Sequence, residues 1–137
     1  MKILSPAKIN LFLQVTGKRP DGYHELFSLM CCVTLFDTIF LRFGTEKIEI
    51  ESSHPQIPLD ETNLAHKAAA LFFKTLDIKE GVNITIEKNI PIAAGLGGGS
   101  SNAASVLRGL NQQYDFPFTR DRLMALGLSL GADVPFL

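Results

Sequence analysis

Residues 7–15 alternate between two sides: Ala7, Ile9, Leu11, Leu13 and Val15 on one, Lys8, Asn10 and Gln14 on the other. A period of two predicts a β-strand with one face buried. Gly17-Lys18-Arg19-Pro20-Asp21-Gly22 then reads as a polar turn. Two apolar segments, residues 26–36 and 38–43, are separated by Asp37 and followed by residues 47–51, where Ile48 and Ile50 alternate with acids. Together these segments predict a meander of strands, and residues 53–61, with Pro55 and Pro58, predict a loop.

Helical spacing takes over next. Leu64, Ala68, Leu71, Phe72 and Leu76 form the stripe of an amphipathic helix, and Val82, Ile84 and Ile86 return to the strand period. Residues 91–99 read as a loop and residues 100–112 as a helix rich in Ala and Leu. A third helix is predicted after Thr119 as N-cap, with Asp121 in its first turn and Gly131 as its stop. With no repeat, low-complexity tract or linker, residues 1–137 predict one α+β domain. The apolar ending Asp133-Val134-Pro135-Phe136-Leu137 has the character of a cut through a larger protein.

Composition narrows the function. The chain is 46% hydrophobic and 20% charged over 137 residues, enough for one real core. A formal charge of −1 argues against a nucleic-acid footprint. No apolar run reaches the ~18 residues of a membrane span, and no cleavage site follows the N-terminal apolar stretch. Cys31 and Cys32 are adjacent, so they fit neither a disulfide framework nor a zinc motif; a reduced, cytoplasmic setting is expected. His24, His54 and His66 have no metal-ligand spacing.

Four segments carry candidate chemistry. In Pro91-Ile92-Ala93-Ala94-Gly95-Leu96-Gly97-Gly98-Gly99-Ser100-Ser101, four glycines and two serines lie between a strand and a helix. Glycines let a ligand approach backbone N–H groups, and a helix start adds free N–H groups and a positive dipole end, which together suit an anion. The segment is not a Walker loop, because Gly99 stands before Ser100 where lysine is needed. Nor does it complete G-x-G-x-x-G, which counted from Gly95 ends on Ser100. A flexible loop without a ligand is the plain alternative.

Lys8 and Asn10 share the polar side of the first strand, as a solvated edge or as a cation held near phosphate. Tyr23 and His24 follow a glycine turn, as a half-buried strand start or as a ring and an edge suited to a planar base. Asp133 stands among Ala, Val, Pro and Phe after a helix stop, as a turn residue or as a paired catalytic carboxylate.

Taken in order, Pro6-Ala7-Lys8-Ile9-Asn10-Leu11, Lys18-Arg19-Pro20-Asp21-Gly22-Tyr23-His24-Glu25-Leu26, residues 91–101 and Gly131-Ala132-Asp133-Val134-Pro135-Phe136 resemble the GHMP kinase superfamily. The Tyr23-His24 pair is closest to the branch that phosphorylates a cytidine diphosphate-linked methylerythritol in non-mevalonate isoprenoid synthesis. The resemblance implies an N-terminal domain of the ribosomal protein S5 domain 2-like fold, with a mixed or antiparallel sheet and helices on one face. It implies that residues 91–101 wrap the phosphates of ATP, that Mg²⁺ arrives with the nucleotide, and that Ser101 touches that ion. Asp133 would take the proton of the C2 hydroxyl, and Lys8 would stand beside it and offset developing charge. Asn10 would lie next to Lys8, and Tyr23 with His24 would hold the cytosine.

The same resemblance implies a small-molecule substrate, neither nucleic acid nor membrane as partner, and a cytoplasmic or, after processing, plastid-like setting; it leaves the oligomeric state open. Two departures stand out: Asn102 where an acid is frequent, and Ala93-Ala94 in place of a more glycine-rich pair. The family's second half, with a third glycine-rich motif, is not in this sequence. The alternatives are a nucleotide-binding fragment without kinase activity and another GHMP-type small-molecule kinase.

Overall fold

The computed structural model describes residues 1–22 and 24–137, with backbone alone at 24 and 26. The expectation for Tyr23 therefore falls outside the described residues, as does that for the side chain of His24. Strands β1 (Lys2–Lys18) and β2 (His24–Thr45) form a long antiparallel hairpin. Strand β3 (Glu49–Ser52) precedes helix α1 (Leu64–Leu76), and β4 (Gly81–Glu87) precedes α2 (Gly98–Gln113) and α3 (Arg120–Leu130). A 3₁₀ turn at Val134–Phe136 ends the described chain. The sheet order is β1-β2-β4-β3; β4 runs antiparallel to β2 and parallel to β3, so the sheet is mixed, as expected.

Local signals set the helices. Asn63 caps α1 by accepting the Ala65 N–H at 2.9 Å, and Asp77 closes it in the left-handed conformation at φ 56°. Thr119 caps α3 by accepting the Arg122 N–H at 3.3 Å. The core lies between the helices and one sheet face, where Ile39, Leu41, Ile84 and Ile86 meet Ala68, Phe72, Val106 and Leu110. Phe72 is fully buried, with edge-on contacts to Phe73 and Phe118, so its truncation to Ala would cost about 3–5 kcal/mol. Nearby, the Tyr114 hydroxyl bonds the Glu80 carboxylate. Burial first, and Glu80 second, push that hydroxyl up to about 12. Among the described residues no helix is long and apolar enough to cross a membrane.

Two expectations change. The apolar side of β1 is not buried along its length: Ala7 is, but Leu11 is 60% exposed, and Ile9, Leu13 and Val15 are exposed too. Register shifts at Asn10/Phe12 and Val15/Gly17 break the continuity of its faces. The period of two here reflects pairing within a hairpin whose outer half the helices leave uncovered, with Phe12 and Phe27 packed edge to face on it. The second change is that residues 26–36 and 38–43 belong to one strand. Asp37 is no break, because its buried carboxylate accepts from Lys88 and from the N–H groups of Asn89 and Ile90.

Candidate active site

The glycine-rich loop runs from the end of β4 into α2, and its backbone explains its composition. Gly95 and Gly97 have φ of +73° and +70°, and Ala93 takes the same left-handed region at 56°. Gly97 is the N-cap of α2 and has no side-chain cap bond; the first turn of the helix holds no acid. The initial N–H groups of α2 have no partner within the helix, and the positive dipole end there is not offset by a side chain of that turn. A Cβ on Gly97 would lie 2.8 Å from Cγ of Lys8, and one on Gly98 would lie 2.8 Å from Nζ of Lys88. Gly97 is therefore required by close approach as well as by its left-handed conformation, and Gly98 by close approach to the ion-paired Lys88.

Lys8 meets the loop along its whole length. Its N–H donates to the Leu96 carbonyl at 2.9 Å, and its stem passes under Gly97. The ammonium ends 3.3 Å from Oδ2 of Asp133; the Lys8 side chain is 7% exposed and that of Asp133 36%. Asp133 is delivered by the turn after α3, where Gly131 N–H closes on the Gly127 carbonyl and Val134 N–H on that of Gly131. The first and last predicted motifs thus meet at the helix start. Asn10, two residues beyond Lys8, is exposed, and its Oδ1 accepts from the Ser28 hydroxyl at 3.3 Å.

A cavity of about 390 Å³ opens against the loop, lined by residues 91–100 together with Asn63, Leu64, Lys88 and Asn102. Its flank is stiffened by Asp60, whose carboxyl the hydroxyl and N–H of Thr62 hold below the usual value. Gly97 belongs both to this lining and to the Lys8 contact, so the cavity and the Lys8–Asp133 pair share one wall. A larger cavity of about 650 Å³ lies between α2 and α3, among Arg108, Phe116, Met124 and Phe136. It holds none of the predicted site residues and is apart from this chemistry.

The two serines part company. Ser101 is buried, with its hydroxyl 2.8 Å from that of Ser5, and it does not line the cavity. Ser100 is half-buried, lines the cavity, and has its Oγ 3.9 Å from where a Cβ on Gly131 would stand. Helical rotation thus turns Ser101, the expected contact of the ion, inward toward Ser5 and leaves Ser100 facing the cavity. Ser100 and Asp133 carry hard oxygen donors of the kind a divalent cation such as Mg²⁺ takes. Among the described residues no three His, Cys, Asp or Glu side chains cluster as a metal site.

Sequence reasoning missed Ser5, Asp37 and Lys88, which support the loop from below. Lys88, three residues before Pro91, carried the one available signal, a cation at the mouth of the motif.

Comparison with known proteins follows the same lines. Residues 63–137 match the family profile of the GHMP kinases N terminal domain. The chain is 52% identical over 136 residues to the 4-diphosphocytidyl-2-C-methyl-D-erythritol kinase of Clostridium tetani, covering 99% of this chain and 49% of that protein. The namesake enzyme of Exiguobacterium sibiricum is 48% identical, with 98% and 47% covered. The chain spans about half the length of the curated relatives it matches. A crystal structure of a 4-(cytidine 5'-diphospho)-2C-methyl-D-erythritol kinase superposes with a TM-score of 0.82 at 42% identity, covering 99% of this chain and 48% of that one. A homoserine kinase from Cytophaga hutchinsonii, 20% identical, shares the fold at a TM-score of 0.72 over 95% of this chain and 40% of its own. The chain belongs to the GHMP kinases, whose N-terminal domain it carries.

Proposed function

We propose that this domain binds ATP on residues 91–101 and supplies the catalytic pair for phosphorylating the C2 hydroxyl of 4-diphosphocytidyl-2-C-methyl-D-erythritol. One observation carries the proposal: the Lys8–Asp133 pair at 3.3 Å, sharing Gly97 with a glycine-lined cavity at a helix N-terminus. The named relatives at 48–52% identity supply the substrate. The proposed setting is cytoplasmic; the relatives are bacterial and lend the plastid alternative no support.

In this mechanism the free N–H groups at the start of α2 hold phosphate oxygens. The hydroxyl oxygen attacks the γ-phosphorus as the bond to the bridging oxygen of ADP breaks, and the hydroxyl proton passes to the Asp133 carboxylate. Lys8 orients that carboxylate and faces the charge that gathers on the transferred group. The hydroxyl of Ser100, which lines the cavity, would meet Mg²⁺ carried in with the nucleotide, and the ion would there offset phosphate charge. Tyr23 and His24 hold the cytosine.

A second reading, nucleotide binding without transfer, draws on the coverage: the chain spans about half of its relatives. Titration calorimetry with ATP, followed by turnover with the cytidine-linked alcohol, separates the two. Saturable ATP binding with phosphorylated product supports the kinase; binding without product supports the second reading, and no binding contradicts both. Product from another alcohol, and none from the cytidine-linked one, assigns a different GHMP-type kinase.

A further inference from the structure

Ser5 on β1 and Asp37 on β2 are direct partners across the hairpin, and both are fully buried. Each holds one end of the glycine-rich loop. At the incoming end, Oδ1 of Asp37 accepts the N–H groups of Asn89 and Ile90, both at 2.8 Å. Its Oδ2 meets Lys88 Nζ at 2.7 Å, and the same ammonium donates to the Ile90 carbonyl at 2.7 Å. At the outgoing end, the Ser5 hydroxyl lies 2.8 Å from the Ser101 hydroxyl and 2.9 Å from Oδ1 of Asn102. One hydroxyl has one proton, so Ser5 donates to Asn102 while Ser101 donates to Ser5.

We infer that the Ser5–Asp37 rung is a positioning device for ATP: one pair of side chains fixes both ends of the phosphate loop to the hairpin that carries Lys8. This rests on the reading of residues 91–101 as that loop. The strand geometry supports it. Ser5 and Lys8 are three residues apart, an odd spacing that sends side chains to opposite faces of a regular strand. The register shift between Pro6 and Ala7 lies between them, and both turn inward toward the loop. Between the two anchors, the Leu96 carbonyl takes the Lys8 N–H. The loop is thus tied to the hairpin at its start, middle and end, while the ligand-facing N–H groups at the start of α2 stay free. Preorganised donors of this kind need no rearrangement when an anion arrives.

Neither Ser5 nor Asp37 touches the cavity, so both act through other groups. The test uses amide hydrogen exchange and ATP calorimetry on the chain and three variants. Ser5→Ala should speed exchange about tenfold or more at residues 101 and 102, the first bonded amides of α2, and Asp37→Asn should do so at 89 and 90, where buried partners are lost. Each should weaken ATP binding about tenfold. Asn111→Ala is the control: Asn111 is buried and bonded to Phe118 away from the loop. It should lower the melting temperature but leave loop exchange and ATP affinity unchanged. Ser5→Ala, which removes one hydroxyl and no charge, decides the proposal if Asp37→Asn does not fold. Faster exchange spread evenly over the sheet, or loosened loop ends with unaltered ATP affinity, would overturn it. If the unmodified chain binds no ATP, the phosphate-loop reading falls, and the exchange pattern alone still supports or overturns the anchoring.

Discussion

Lys8 and Asp133 come from opposite ends of the chain and meet with 3.3 Å between Nζ and Oδ2, on a wall formed by Gly97. The meeting needs three separate pieces of structure. The strand must present Lys8 inward, the turn after α3 must bring Asp133 back, and residue 97 must lack a side chain. A residue with a Cβ at 97 would strike the Lys8 stem.

That last requirement gives a paired prediction. Gly97 sits at φ +70° with Lys8 Cγ 2.8 Å from its would-be Cβ, whereas Gly99 would meet only Leu64 Cδ1, at an ordinary 3.7 Å. Gly97→Ala should lose about 1–2 kcal/mol to the left-handed backbone alone, and at least as much again to crowding. Its ATP affinity should fall tenfold or more, while Gly99→Ala stays within a few-fold of the parent. Denaturant melts and calorimetry on both variants check this. Similar losses for the two would mean that the loop lacks the geometry described.

Tyr23 and His24 are expected to read the cytidine end of the substrate. Tyr23→Ala should raise the KM for the cytidine-linked alcohol about tenfold or more, on the scale of a lost stacking contact, with ATP affinity scarcely altered. Steady-state kinetics varying each substrate in turn would show it. Equal losses for both substrates would indicate damage to the fold rather than to recognition.

Alkaline pH tests the packing beneath α1. The unfolded chain releases a tyrosine proton near 10, but in the fold Tyr114 holds its proton to about 12, through burial and then Glu80. Between those values the unfolded state binds fewer protons, so stability falls as pH rises. The contribution is complete below about 10 and gone once pH has passed the folded value. Tyr114→Phe keeps the ring against Phe72 and Phe73 and removes the ionisation. Urea unfolding at about pH 9 and about pH 11.5 should show a larger loss for the parent than for the variant. Equal losses would remove Tyr114 from the account.

Much of this was legible locally. The stripe from Leu64 to Leu76 matches α1 at both ends, and the Thr119 cap and Gly131 stop bound α3 as read. Helix signals lie within a few residues of what they control. The β1–β2 hairpin was harder, because alternation reports a strand and not what covers it; Leu11 and Leu13 alternate correctly and face solvent. Asp37 read as a break because a lone charge looks unburiable, and its partners lie some fifty residues downstream. Ser100 and Ser101 differ only by helical rotation, which depends on where α2 begins. It begins at Gly98, two residues earlier than the sequence suggests, and Ser5 waits on the buried side.

The central claim is that Lys8 and Asp133 act as one catalytic unit, and a double-mutant cycle on phosphoryl transfer tests it most directly. Lys8→Ala and Asp133→Asn should each lower kcat by about 10²-fold or more, as expected for a positioned acid or base. The combined variant should be little slower than the slower single one, since groups that work together are not additive. If the two losses multiply instead, the 3.3 Å contact is a structural ion pair and not the catalytic unit.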